Sequence, residues 1–203
     1  MYVLGITGGL GSGKSTAAEL FEQRGAVVVD LDDVAKALID EIPAVREQVV
    51  EAFGAAVLGS DGRIDRPALA AEAFRSYEAA TVLEAIVHPA VLAAVTGMLD
   101  TLALQGDPPR VVVLVIPLLA EAPSFLDLVD AVLVISAVEE TRLDRAVSRG
   151  MDRAEAVRRI ARQVGDAERR EIADYVIEND GDLASFKQQV AEFWETEVAS
   201  RDV

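Results

Sequence analysis

A glycine-rich turn between a predicted strand and a predicted helix constrains this chain more than any other feature. The segment YVLGIT, residues 2–7, is apolar, and an amphipathic helical pattern begins at Lys14. Between them, GGLGSG places four glycines in six positions. Glycine adopts positive φ at little cost, so this turn can bend tightly while its N–H groups point inward. A strand, a glycine-rich turn and a helix in this order are typical of an α/β domain.

The turn also matches a phosphate-binding pattern. GGLGSGKS, from Gly8 to Ser15, fits G-x-x-x-x-G-K-[ST], the P-loop. Inward N–H groups at a helix N-terminus attract anions, Lys14 is expected to reach the outer phosphates, and the Ser15 hydroxyl is expected to coordinate Mg²⁺. The pattern therefore predicts a nucleotide site made by Gly8, Gly9, Leu10, Gly11, Ser12, Gly13, Lys14, Ser15 and Thr16.

Alternating apolar runs and helical patterns extend this architecture along the chain. Strands are predicted at 2–7, 26–30, 110–116, 131–136 and 175–177, and helices at 14–24, 44–53, 67–74, 78–87, 89–104, 139–148, 153–164 and 183–198. We expect an α/β fold of the three-layer P-loop NTPase type, with a five-stranded parallel sheet and helices on both faces. The predicted core comprises 1–31 and 110–203, residues 32–109 form a helical substrate-binding insertion, and 142–170 form a helical lid.

Composition excludes several classes of partner. The net charge of −16 disfavours binding to nucleic acid or to anionic membranes, because both need a positive protein face. No uninterrupted apolar stretch approaches 18 residues, so no membrane span is expected. Cysteine is absent and the N-terminus lacks the pattern of a signal peptide, which indicates the cytoplasm. No feature of the sequence calls for an obligatory protein partner.

Three carboxylates follow the second predicted strand. Asp30, Asp32 and Asp33 come at the strand end where open α/β sheets bind ligands. Two aspartates beside a P-loop suit one base that activates a hydroxyl and one partner of Mg²⁺ or water. We assign the base to Asp32, whereas Asp33 is expected to cap the following helix.

A basic segment lies inside this acidic protein. Residues 142–170 hold nine arginines and five acids, and Arg142, Arg145 and Arg149 share one face of a predicted helix. Such a segment is typical of a kinase lid, which closes over ATP and stabilises the transferred charge. We expect Arg145 and Arg149 to act in this way. For Arg158, Arg159, Arg169 and Arg170 a solvated, ion-paired helix face is the preferred interpretation.

Several motifs together resemble one family. They are TGGLGSGKS at 7–15, GAVVVDLDD at 25–33, HP at 88–89, PLLAE at 117–121, the lid arginines and DYVIENDG at 174–181. In this combination and order, nearly the whole chain resembles dephospho-CoA kinase, a P-loop kinase related to the nucleoside monophosphate kinases. The resemblance implies ATP-dependent phosphorylation of the ribose 3′-hydroxyl of dephospho-CoA, the last step of coenzyme A synthesis, with Mg²⁺.

The resemblance also implies roles for residues outside the loop. Asp32 would accept the proton of the ribose 3′-hydroxyl, and Asp30 would help Ser15 to hold Mg²⁺. The acceptor site would include Pro117, Leu118, Glu121 and His88, the last in a positioning role, and Asn179 would lie near the adenine of ATP. From the residues alone, Pro117 and Leu118 could equally form a buried turn, and Asn179 a simple turn.

Other activities stay open or are disfavoured. The sequence lacks the N/T-K-x-D motif that reads guanine, so a GTPase is not expected. Kinases of the same fold that phosphorylate nucleoside monophosphates or sugar acids are the alternative enzymes. A P-loop switch protein without phosphoryl transfer is the alternative from another class, because a P-loop indicates binding and not chemistry.

Overall fold

Five parallel strands form the central sheet of the computed structural model, which describes residues 1–117 and 119–201. They are β1 (Tyr2–Thr7), β2 (Val27–Asp30), β3 (Val111–Val115), β4 (Ala131–Ser136) and β5 (Tyr175–Glu178), and their order is β2-β3-β1-β4-β5. Every residue of β1, β3 and β4 is buried. Continuous apolar runs give such strands because both of their faces are covered. The five predicted strands are thus confirmed, with ends shifted by at most one residue.

The α-helices alternate with these strands. In chain order they are α1 (Lys14–Glu22), α2 (Leu31–Glu41), α3 (Pro43–Phe53), α4 (Arg66–Ala73), α5 (Tyr77–Ala103), α6 (Glu139–Ser148), α7 (Arg153–Arg162), α8 (Asp166–Glu171) and α9 (Leu183–Phe193), the last continued by a π-helical segment, Trp194–Val198. Short 3₁₀ helices occur at Ala55–Val57 and Pro123–Leu128. The helix α8 was not predicted, because its six residues are too few to show a periodic pattern.

Within the described residues, the chain divides into two compact units. The first consists of Met1–Asp30 and Leu102–Val203 and holds the whole sheet. The second, Leu31–Thr101, holds α2 to α5 and a single isolated β-bridge between Leu58 and Ile64. The helical insertion predicted at 32–109 therefore overlaps a separate unit, whose own bounds fall at Leu31 and Thr101.

The core of the first unit lies between one face of the sheet and the helices α1 and α9. Phe21 of α1 is fully buried, and its ring centroid lies 6.0 Å from that of Phe193 and 5.5 Å from that of Trp194. Buried residues of β1, β3 and β4 complete this cluster. The packing fixes α1 against the sheet, and α1 begins at Lys14 of the glycine-rich loop.

Two local predictions in the second unit are wrong. The expected helices 78–87 and 89–104 form one helix, α5, with Pro89 inside it. Val87, Val91 and Val95 are buried on one face of α5, so packing on both sides of Pro89 outweighs its missing N–H donor. This continuous helix has the length and apolar composition of a membrane span, with a mean hydropathy of 1.8, which is weak evidence by itself.

Asp33 does not cap the following helix, because α2 already begins at Leu31.

Candidate active site

The glycine-rich loop joins β1 to α1 at the carboxyl edge of the sheet. Three of its glycines have positive φ, Gly8 at 151°, Gly11 at 76° and Gly13 at 110°. Gly13 precedes the first residue of α1 in the left-handed conformation, so the loop ends at a helix N-terminus without a side-chain cap. No side chain therefore caps the first N–H groups of α1, which is the arrangement that an anion site at a helix N-terminus requires.

Lys14 folds back over the first half of this loop. Its Nζ donates to the carbonyl oxygen of Gly8 at 2.7 Å and to that of Gly9 at 3.1 Å. The ammonium group is therefore already held above the loop. Ser15 follows it and is exposed, as the first hydroxyl in α1.

The second half of the loop is braced by the segment that follows β5. The side-chain amide of Asn179 is buried and donates to the carbonyl oxygen of Ser12 at 2.7 Å. The backbone N–H of Asn179 donates to the carbonyl oxygen of Ser136 at the end of β4. A methyl group on Gly13 would clash with this amide, so glycine is required there both for φ and for the close approach.

Arg145 holds the same segment from the side of α6. Its guanidinium donates to the carbonyl oxygen of Asn179 at 2.8 Å, to Oδ1 of Asn179 at 3.3 Å and to the carbonyl oxygen of Gly181 at 3.3 Å. Arg145 thus links α6 to the residues after β5. In this conformation it supports the loop through Asn179.

The first half of the loop contacts a helical hairpin formed by α6 and α7. Leu10 packs against the apolar cluster of Leu143, Ala146, Ala156 and Ile160, which joins the two helices. The backbone N–H of Leu10 donates to Oε1 of Gln163 at 2.9 Å. Gln163 directly follows α7, so the base of the predicted lid is attached to the loop. Sequence reasoning missed Gln163 because nothing local marks a contact 153 residues away in the chain.

The predicted lid has the expected break and restart. α6 ends at Ser148, Gly150 has a φ of 94°, and the Asp152 side chain accepts from the N–H of Glu155 at 3.0 Å as the cap of α7. Arg149 is exposed at the end of α6 and borders a cavity of about 290 Å³ together with Leu10 and Gly11.

One lid arginine differs from its predicted state. Arg169 is 3% exposed, so the interpretation as a solvated face is wrong for this residue. Burial lowers the pKa of its guanidinium, while the carboxylate of Glu121 opposes this effect and the positive charge of Arg142 adds to it. Arg170 is exposed and ion-paired as predicted, with Asp166 at 2.6 Å and Glu178 at 2.5 Å.

Glu121 and Pro117 belong to the segment that follows β3. Oε1 of Glu121 accepts from the backbone N–H of Val164 at 3.1 Å, which links this segment to the end of the lid. Pro117 is half-buried. Leu118, the third residue predicted in this group, lies outside the described residues.

A second cavity, of about 550 Å³, opens beside the loop. The residues around it include Ser136, Arg142, Gln163, Asp166 and Arg170. The smaller cavity borders the loop at Leu10 and Gly11, whereas the larger one lies at the end of β4 beside the lid, and each is large enough for part of a nucleotide.

Oxygen ligands for Mg²⁺ are available at the edge of the sheet. Asp30 and Ile6 are both in register with Val115, so the last residue of β2 lies level with the end of β1, just before the loop. The hydroxyl of Ser15 and the carboxylate of Asp30 are hard oxygen donors. The described residues contain no cluster of three His, Cys, Asp or Glu side chains that could hold a metal ion alone. A small number of protein ligands is enough to bind Mg²⁺, because this ion keeps several waters and also binds substrate phosphates.

The second unit carries Asp32 and His88. Asp32 is exposed in the first turn of α2, two residues after the end of β2, and its charge is favourable near the helix N-terminus. The adjacent Asp33 is also exposed and forms an ion pair with Lys36. His88 is half-buried within α5.

Comparison with known proteins identifies the family. The model of the dephospho-CoA kinase family matches residues 2–185. A dephospho-CoA kinase of Corynebacterium diphtheriae is 39% identical over 96% of both chains, and one of Leifsonia xyli is 40% identical over 96% of this chain and 98% of that relative. This chain belongs to the dephospho-CoA kinase family. The resemblance predicted from the motifs is thereby confirmed.

The solved structure of a dephospho-CoA kinase from Campylobacter jejuni agrees with the fold. It is 26% identical, covers 95% of each chain and superposes with a TM-score of 0.69. The predicted α/β fold of three layers is thus confirmed for this member of the dephospho-CoA kinase family. The family consists of kinases that carry out the final ATP-dependent step of coenzyme A biosynthesis.

Proposed function

We propose that this chain transfers the γ-phosphoryl group of ATP to the ribose 3′-hydroxyl of dephospho-CoA, and that it does so in the cytoplasm. Its membership of the dephospho-CoA kinase family is the observation that carries the proposal. The loop of Gly8 to Thr16, with its glycines in conformations that turn N–H groups inward, supports an anion site of the required kind. We expect no nucleic acid or membrane to take part.

Binding of the triphosphate is assigned to the loop and to Lys14. The backbone N–H groups would hold the phosphates, and Nζ of Lys14 would exchange the carbonyls of Gly8 and Gly9 for the outer phosphate oxygens. Once these donors hold the phosphates, little reorganisation is needed as charge moves in the transition state. Asn179 supports this arrangement through Ser12, and its predicted place near the adenine is part of the proposal.

Asp32 is assigned as the residue that orients and deprotonates the 3′-hydroxyl. The oxygen of this hydroxyl forms the bond to the γ-phosphorus while the bond between that phosphorus and the β,γ-bridging oxygen breaks. The proton passes to the Asp32 carboxylate, and ADP leaves with the bridging oxygen. Asp32 lies in the first turn of α2 and its side chain is exposed to solvent.

Mg²⁺, when bound with ATP, neutralises charge on the β- and γ-phosphate oxygens. Ser15 and Asp30 are the residues that would hold it. The hydroxyl of Ser15 would be a direct ligand in the usual P-loop manner, and the Asp30 carboxylate would hold the ion or one of its waters.

The lid arginines and the acceptor residues complete the proposed site. Arg149, exposed beside the loop, would approach the transferred phosphate when α6 and α7 close, and Arg145 would help through its link to Asn179. Glu121, Pro117, Leu118 and His88 would bind or position dephospho-CoA.

An acceptor panel tests this function. Purified protein with ATP and Mg²⁺ would be given dephospho-CoA, AMP or gluconate, with ADP release followed in a coupled assay. We expect rapid ADP release when dephospho-CoA is the acceptor and not with AMP or gluconate. The mass and the ³¹P spectrum of the product should correspond to a 3′-phosphate. Faster turnover with AMP or gluconate would contradict the assignment of dephospho-CoA as the acceptor. Binding of ATP without acceptor-dependent release of ADP would favour a switch protein.

A further inference from the structure

A second arginine of α6, which the sequence did not single out for a role, is buried at the loop. Arg142 is 8% exposed, and its Nη1 is a buried donor without a hydrogen-bond partner. Among residues 1–117 and 119–201, no carboxylate oxygen lies within 4.0 Å of a nitrogen of Arg142. A buried N–H donor in this state is costly, because it has given up water without gaining an acceptor.

The close approach of Arg142 to the loop indicates which anion could be the hydrogen-bond partner of Nη1. Methyl groups built on two loop glycines would clash with Arg142, one on Gly9 with Nη1 and one on Gly11 with the Arg142 carbonyl. The guanidinium therefore lies directly against the first half of the loop. The hydroxyl of Ser12, fully buried in the same loop, also lacks a partner.

The charge around Arg142 points in the same direction. Arg169 is also buried, and the charge of Arg142 lowers its pKa, so the two buried cations lie near each other. The carboxylate of Glu121 acts on Arg169 and also accepts from Val164. Asp166 and Glu168 act on Arg169 in the same way, so three carboxylates offset its charge, whereas none of the ion pairs among the described residues involves Arg142.

We propose that Arg142 is a phosphate-binding residue, whose Nη1–H donates to an outer phosphate oxygen of the nucleotide held in the Gly8–Ser15 loop. Gly9 lies close to both Nη1 of Arg142 and Nζ of Lys14. The lysine of a P-loop reaches the outer phosphates of the nucleotide. The guanidinium would move from its packing on Gly9 toward these oxygens. This inference rests on the proposed function, because it requires ATP in the loop.

Calorimetric titration tests the inference. The Arg142→Met and Arg142→Lys variants would each be titrated with ATP, with inorganic tripolyphosphate and with AMP. Met has a similar length without charge, so we expect ATP and tripolyphosphate to bind about 10- to 100-fold more weakly, as for loss of a charged hydrogen bond. AMP affinity should change less than about 2-fold, because AMP lacks the outer phosphates. Arg142→Lys should recover part of the loss, since it keeps the charge but not the planar fork.

A matched control and a fallback keep the result interpretable. Arg153→Met removes an exposed arginine from the same hairpin, where it pairs with Asp144 at 3.5 Å, and should bind all three ligands as the wild type does. If Arg142→Met does not fold, Arg142→Gln replaces it, because its amide keeps hydrogen-bond donors without the charge. Folded Arg142→Met or Arg142→Gln protein with wild-type affinity for tripolyphosphate would overturn the inference. Wild-type protein that binds no ATP would instead overturn the proposed function.

Discussion

The side-chain amide of Asn179 donates a hydrogen bond of 2.7 Å to the carbonyl oxygen of Ser12, across 167 positions of the chain. Both residues are buried, at 4% and 0% exposure. The segment after β5 thus holds the second half of the glycine-rich loop in place. Because Arg145 donates to Asn179 in turn, α6, β5 and the loop form one hydrogen-bonded unit.

Replacement of Asn179 by Ala should therefore weaken both folding and nucleotide binding. The change leaves the buried carbonyl of Ser12 without this donor, which costs about 1–3 kcal/mol of unfolding free energy. We also expect a higher KM for ATP, because the loop is less well held. Urea unfolding and ATP-dependent kinetics measure the two effects. Gln188→Ala removes an exposed amide bonded to Glu192 and should change stability by less than about 0.5 kcal/mol. Equal stability of the Asn179 and Gln188 variants would contradict the assigned role.

Replacement of Lys14 by Met should reduce turnover more than stability. Lys14 is half-buried and its Nζ donates to two neutral carbonyl oxygens, those of Gly8 and Gly9, whereas the same charge is needed as the phosphoryl group moves. We expect kcat/KM to fall by about 100-fold or more, with a nearly unchanged unfolding midpoint. Lys187→Met, at an exposed position of α9, provides the comparison for loss of one lysine. A Lys14 variant as active as the Lys187 variant would remove Lys14 from the mechanism.

Asp32→Asn should keep the affinity for ATP but lose most of the turnover. The amide keeps the size of the side chain and cannot accept the hydroxyl proton, so the loss should appear in kcat. Asp33→Asn is a close control, since Asp33 is the next residue, is also exposed and pairs with Lys36. Equilibrium binding and single-turnover phosphoryl transfer distinguish the two variants. Normal transfer by Asp32→Asn, or an equal loss in both variants, would exclude the base role.

The stability of the protein should depend on Asp166 in a defined pH range. Burial alone would raise the pKa of Asp166, but hydrogen bonds from Arg170 and Ser136 outweigh burial and lower the pKa below 3.8. Because the pKa of Asp166 is lower in the folded than in the unfolded protein, ionised Asp166 stabilises the fold at pH values above its pKa in the unfolded state. This stabilisation is lost as the pH falls through its pKa in the folded state. The wild type should therefore exceed Asp166→Asn in stability at pH 6, and the difference should shrink below about pH 4. Unfolding of both proteins by urea between pH 6 and pH 2.5, with Asp107→Asn as an exposed control, measures this difference. A difference that grows toward low pH would contradict the assignment.

Local signals made much of this molecule predictable. The buried strands and the glycine conformations at Gly8, Gly11 and Gly13 depend on residues within a few positions of one another. Local rules failed where packing competes with them. Burial of Val87, Val91 and Val95 keeps one helix across Pro89, and α2 starts too early for Asp33 to cap it.

The sequence by itself determined the parallel sheet, the glycine-rich loop between β1 and α1, and the family, because each depends on short patterns whose backbone requirements are local. Only the tertiary structure decided how that loop is held. Asn179 reaches Ser12, Gln163 reaches Leu10, and Arg142 lies against Gly9, each across more than a hundred positions of the chain. Such contacts arise when strand order and helix packing bring distant segments together. Arginines of the same segment, 142–170, thus differ in exposure, since Arg142 and Arg169 are buried and Arg158 is exposed.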